Sequence, residues 1–154
     1  MTRFILRTAS IAAAACLCFP AISQTGIANV QTGDGYYQRS EANYATYRYL
    51  RAMDSGNYAS LWRSTAPIAR NGLTESSWTT TVANMRKLFG SYKERTEEGH
   101  GFSSQMSNGE KGVFYALVFK TQFSLLTAEE KIILSHEGGE WKLAGYFLKT
   151  YGAK

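Results

Sequence analysis

Cysteine is nearly absent from this chain of 154 residues: Cys16 and Cys18 are the only two, both near the N-terminus. From residue 24 onward there is none, which excludes disulfides, thiolate nucleophiles and zinc–thiolate sites from that part. Histidine is almost as scarce, with His100 and His136 alone. No His-x-x-x-His spacing exists and no oxygen-only ligand cluster is visible, so neither a metal site nor another cofactor is expected. No Asn-x-Ser/Thr acceptor is present. No serine shares a motif with a histidine, which leaves nucleophilic hydrolysis without support. Internal repeats and low-complexity tracts are missing. No apolar run reaches the roughly 20 residues that a bilayer-spanning helix needs.

What the N-terminus does contain reads as an export signal. Arg3 and Arg7 form a basic region, Ile11–Phe19 a short apolar core, and Ala21 with Ser23 the small residues a signal peptidase reads. Residues 1–23 are therefore expected to be removed, leaving Gln24 first. A membrane anchor is one rival reading, against which the apolar run is too short. A lipoprotein with Cys16 after Ala13-Ala14-Ala15 is another, but that box lacks an aliphatic residue three before the cysteine. Cleavage takes both cysteines and lowers the formal charge from +5 to +3 by removing Arg3 and Arg7. The remaining basic residues are scattered, unlike the one-sided basic faces of nucleic-acid binders. A cysteine-free exported chain fits a bacterial periplasm, or secretion, better than a eukaryotic route. The remaining length suits one domain.

Residues 24–35 read as a flexible arm and 36–151 as a single domain. Asp34 is placed to cap a helix over 36–55, with Ala42, Ala45, Tyr49, Ala52 and Met53 on one side. Gly56-Asn57 ends it. A short helix over 58–64 follows, then a connecting loop bounded by Pro67 and Gly72. Thr74 caps a third helix to Phe89. Trp78, Val82, Met85 and Phe89 form its apolar stripe, and Thr79, Thr80, Ala83, Arg86 and Lys87 fall to other faces. Gly90 stops it. The period then changes to two. Residues 92–96 and 101–106 read as pieces of one strand broken near Glu98-Gly99. Asn108-Gly109 marks a hairpin turn. Residues 113–123, 129–136 and 141–151 read as three further strands. In the last, Trp141, Leu143, Gly145 and Phe147 alternate against Lys142, Ala144, Tyr146 and Leu148.

Helices followed by a strand meander define an α+β fold: N-terminal helices packed on a curved four-stranded antiparallel sheet. The residues Gly56-Asn57-Tyr58, Trp62, Ala66, Trp78, Arg86, Gly90, Arg95 and Phe123 carry a family resemblance, together with the closing run from Gly139 to Lys149. Over about residues 40–150 the chain resembles a bacterial domain-of-unknown-function family, number 4019 in its series. Where relatives carry a proline-containing turn, this chain has Ser107-Asn108-Gly109-Glu110. The resemblance implies a cystatin-like or nuclear-transport-factor-like cone and an exported address. It implies no catalytic residues, because such folds host enzymes and plain binding modules alike.

Candidate chemistry is sparse. His100, between two glycines, reads as a solvated loop or bulge residue. His136 is in phase with Ile132 and Leu134 and leans toward the sheet's inner rim. Asp54, the acid late in the first helix, is expected at the helix end, and Glu129 and Glu130 read as an ordinary charged strand start. A conical pocket, if present, would draw on Asp54, Trp62, Trp78 and His136. Ten tyrosines are the compositional oddity. Tyr37, Tyr44 and Tyr47 lie off the core stripe of the first helix beside Arg48 and Arg51, a pairing typical of binding surfaces. The favoured expectation is a noncatalytic exported module that binds a protein or a small apolar ligand in the cell envelope. The alternative is an isomerase- or dehydratase-like enzyme with an acid in a hydrophobic cone.

Overall fold

The computed structural model describes residues 33–152; the expected signal segment 1–23 and the arm through residue 32 lie outside the described residues. Helices come first: α1 (Gly33–Asp54), α2 (Tyr58–Arg63), α3 (Pro67–Arg70) and α4 (Glu75–Phe89). Strands β1 (Tyr92–Gln105), β2 (Lys111–Phe123), β3 (Thr127–Glu137) and β4 (Glu140–Thr150) follow. They pair antiparallel in the order β1-β2-β3-β4. The domain is an α+β fold with an open antiparallel sheet.

α1 starts three residues earlier than expected. Asp34 therefore stands within its first turn rather than outside it. The far end closes as the Gly56-Asn57 pair predicts. Gly56 adopts φ 73°, its N–H donates to the Met53 carbonyl at 3.1 Å, and the Asn57 N–H donates to Ala52 at 2.9 Å. These two bonds satisfy carbonyls that the helix end would otherwise leave open. Ala42, Ala45, Tyr49, Leu50 and Met53 are buried. The small alanines let α1 lie close to the sheet.

The stretch read as a loop contains the single-turn helix α3, because Pro67 supplies a preset φ at its first position. The link between α2 and α3 runs along β4. Ala66 N–H donates to the Leu143 carbonyl at 2.7 Å and Leu143 N–H to Ser64 at 3.2 Å. This covers part of an otherwise open sheet edge.

α4 opens on a capping box in which Thr74 and Ser77 exchange side-chain-to-backbone hydrogen bonds. It closes at Gly90, φ 88°, where a Cβ would collide with the Ser124 hydroxyl and lie 2.9 Å from Leu125. Its buried residues are Val82, Arg86 and Phe89. The assignment of Arg86 to an outer face is thus corrected: four residues after Val82 and three before Phe89, it belongs to the buried stripe.

β1 is one continuous strand, not two pieces. The irregularity foreseen near Glu98-Gly99 is a register shift between Glu97 and Gly99, and His100 is a strand residue opposite Leu117 rather than a loop residue. In β2, Tyr115, Leu117, Phe119 and Phe123 are buried as the alternation predicts. β4 departs from its predicted alternation. Leu134 pairs with Leu143 but Ile133 pairs with Gly145, so Ala144 is an extra, bulged residue. Trp141 and Leu143 face the helices before the bulge, and Tyr146 and Leu148 do so after it. Gly145 and Phe147 turn to the opposite face, where the Phe147 ring leans over Gly145, as Phe114 does over Gly112. A ring over a strand glycine replaces the packing that the glycine lacks.

The main core joins α1, α2 and α4 to β2, β3 and β4, with Tyr115, Leu117, Phe119, Ile132, Leu134, Trp141 and Leu143 as its sheet side. A smaller cluster of Phe89, Phe123 and Ala128 closes the other end.

Candidate functional site

Between these two apolar clusters lies a set of charges. Asp54 comes from the last turn of α1, Arg86 from α4, Arg95 from β1 and Glu130 from β3. Asp54 accepts from Arg86 at 2.8 Å and from Arg95 at 2.9 and 3.0 Å. Glu130 accepts from Arg95 Nε at 3.0 Å and more loosely from Arg86 at 3.4 Å. Thr121 of β2 donates to Glu130 Oε2 at 2.6 Å, and Tyr146 of β4 to Oε1 at 2.6 Å. Arg86 donates to the Tyr146 oxygen at 2.9 Å. Two helices and every strand thus meet in one network of balanced charge.

Burial makes this network consequential. The Glu130 side chain is 0% exposed, Arg86 5%, Arg95 8% and Asp54 15%. An unpaired charge there would carry a desolvation penalty of several kcal/mol. Each guanidinium also lies over a ring, Arg86 over Phe123 at 4.5 Å and Arg95 over Tyr92 at 4.2 Å. Burial alone would lower the arginine pKa values, but Tyr146, Asp54 and Glu130 outweigh it around Arg86, and Asp54 and Glu130 around Arg95, so both are raised. Burial first, then the Glu130 charge, holds the Tyr146 hydroxyl well above its usual range against the opposing pull of Arg86. All four carboxylate oxygens are occupied. The arrangement suits cohesion, not proton transfer.

The residues expected around a cone are spread over three settings. Asp54 does end α1, but it belongs to the charge network, which corrects the expectation that its side chain meets only solvent or the turn. Trp62 and Trp78 pack on each other at 5.9 Å. His136 lies 4.9 Å from the Trp141 ring. Rings occupy the inner sheet face between them: Tyr115, buried, lies 6.2 Å from Trp141 and 4.6 Å from Phe102. The Tyr115 hydroxyl donates to Asn43 at 2.6 Å, and burial above all pushes its pKa up to about 12.

The expected surface stripe does come together. Tyr44 is 69% and Tyr47 39% exposed, and Arg48 and Arg51 are exposed beside them. Tyr37 lies in α1, but its side chain is outside the described residues. Tyr47 rests edge-on against Phe119 at 5.9 Å, and Arg48 lies over Tyr49 at 5.2 Å. On β1, Tyr92 and Phe102 are partly exposed, and His100 pairs with Glu97 at 2.6 Å. Among the described residues no three of His, Cys, Asp and Glu stand together as metal ligands, and no helix is long and apolar enough to cross a membrane.

One cavity opens elsewhere, about 490 Å³ in volume, between α3 and the β1–β2 turn, lined by Pro67, Ile68, Arg70, Asn71, Asn108 and Glu110. Arg70 Nε is buried without an acceptor, an arrangement that costs about 1–3 kcal/mol.

Sequence reasoning missed Glu130. Its signal was present, since Glu130 shares the inward phase of Ile132 and Leu134. Arg86 carried a comparable signal on the stripe of α4.

Fold and site together define a small α+β domain whose helices are fastened to a strand meander by a buried two-arginine, two-carboxylate network. The chain belongs to the family described as protein of unknown function, DUF4019, whose model matches residues 45–146. Every member of the network lies within that match. Comparison with curated proteins found no match.

Proposed function

We propose that this is a noncatalytic binding module of the bacterial cell envelope, exported by its N-terminal segment, which holds a protein partner on the outer face of α1. The observation that carries the reading is the division of α1 into two faces. One buries Ala42, Ala45, Tyr49, Leu50 and Met53. The other exposes Tyr44, Tyr47, Arg48 and Arg51; Tyr47 also rests on Phe119 and Arg48 on Tyr49, whereas Tyr44 and Arg51 have no such contact among the described residues. Tyrosine and arginine are the residues that binding hot spots favour. Tyr92 of β1, also exposed, lies near enough to Tyr47 to act on its hydroxyl electrostatically.

The alternative, an enzyme with an acid in a cone, has less support. Rings fill the inner sheet face, and Asp54 is held between two guanidinium groups. A general acid or base must be able to exchange its proton with a substrate.

Two experiments test the proposal. A photoreactive residue at position 44 should give a discrete adduct in envelope preparations, and one at the exposed position 125 should not. Equal labelling at both positions, or none at 44, would sink the surface assignment. N-terminal sequencing of the envelope form should begin at Gln24; an intact Met1 would remove the export step.

A further inference from the structure

We propose that the cavity between α3 and the β1–β2 turn binds a small zwitterion, a free amino acid or a dipeptide, with Arg70 holding its carboxylate and Glu110 its ammonium group. The site uses no residue of the α1 surface and stands or falls independently of it. It is an open hollow rather than an enclosed cavity, about 490 Å³ in volume, with room for a small ligand. Its lining carries one cation and one anion, and neither makes an ion pair among the described residues. A singly charged ligand would leave one of them unmatched, whereas a zwitterion matches both.

Arg70 is held ready rather than free. Its Nη2 donates to the Arg63 carbonyl at 2.8 Å, and its guanidinium lies 5.4 Å from the Trp62 ring. Its Nε is enclosed and closed to solvent, which leaves Nη1 as the donor that a ligand carboxylate can reach. The opposite wall is also set. Asn108 Oδ1 accepts from the Glu110 N–H at 3.1 Å, and the Glu110 carbonyl accepts from Met106 at 2.8 Å. Pro67 and Ile68 offer an apolar wall for an aliphatic side chain, and the Asn71 and Asn108 amides offer both donors and acceptors.

The test is a titration of ¹⁵N-labelled protein with glycyl-leucine, followed by amide shifts. The expected result is saturable change at Ile68, Asn71, Asn108 and Glu110. Acetylating the dipeptide's amine, amidating its carboxylate, or substituting Arg70→Gln or Glu110→Gln should each weaken binding about tenfold or more. L-Leucine is titrated in parallel. Tighter binding of leucine assigns the site to free amino acids and tighter binding of the dipeptide to peptides, and either supports the class. Absence of saturable shifts with both ligands would overturn the proposal, as would binding indifferent to end-blocking. Because Arg70 packs on Trp62, the exposed Glu110→Gln variant carries the test alone if Arg70→Gln disturbs the fold.

Discussion

The buried network and the outer face of α1 use the same kinds of residue to opposite ends. Within the fold, Arg86, Arg95 and Tyr146 are locked against two carboxylates by bonds from every strand. On the outside of α1, Tyr44, Tyr47, Arg48 and Arg51 are exposed; among the described residues, only Tyr47 and Arg48 of these lean on a ring of the fold. Arginine and tyrosine do not by themselves mark either role. Their setting decides: buried guanidinium groups must be matched atom for atom, while exposed ones keep donors available for a partner. One helix serves both ends, because Asp54 closes the inner network from the last turn of α1.

The comparison breaks first at Glu130. Glu130→Ala leaves two buried guanidinium groups facing one carboxylate and should cost about 3–5 kcal/mol in urea unfolding. A loss below about 1 kcal/mol would show that the network contributes little cohesion. Tyr146→Phe comes next, at about 1–2 kcal/mol, because Arg86 and Glu130 each lose a hydrogen-bond partner.

The same tyrosine sets an alkaline limit. Its folded pKa lies well above the ordinary 10, and that of Tyr115 rises to about 12. Above about pH 10 the unfolded chain therefore loses these protons before the folded one does. This contribution to stability is full below pH 10 and falls from there upward. Melting temperatures measured from pH 8 to 12 should decline beyond 10, and less steeply in Tyr146→Phe.

Smaller effects sharpen the contrast. Thr74→Ala removes the capping bond to Ser77 and should cost about 1 kcal/mol by denaturant midpoint. Tyr44→Ala should change stability by less than about 0.5 kcal/mol. It should nevertheless abolish capture of the partner that crosslinks at position 44. A large stability loss there would mean that Tyr44 belongs to the fold and not to a surface.

Much of the architecture was legible as pattern. The spacing of Ala42, Ala45, Tyr49 and Met53 placed α1 and its inner face. Thr74 and Gly90 bounded α4, and alternation through Tyr115, Leu117 and Phe119 oriented β2. The network was less legible because each member looked ordinary alone. Asp54 sits at a helix end, Glu130 at a strand start, and Arg86 beside Lys87. Polar residues at inward positions read as exceptions to a pattern until their partners, 9 to 60 residues away in sequence, are known. Tyr146 was hidden by the Ala144 bulge, which reverses the faces of the remaining strand and which no local propensity announces.

Local chemistry in the chain sufficed for the order of elements, most of their ends and the two-faced character of α1. Those features depend on neighbours a few residues apart, through helix period, capping and alternation. Which charges are buried, and with whom, was settled only by tertiary structure. A buried charge is tolerable only when matched, and the match here depends on six elements meeting at one point. The same holds for Arg70 and Glu110, which a folded α3 and a hairpin turn bring to one cavity.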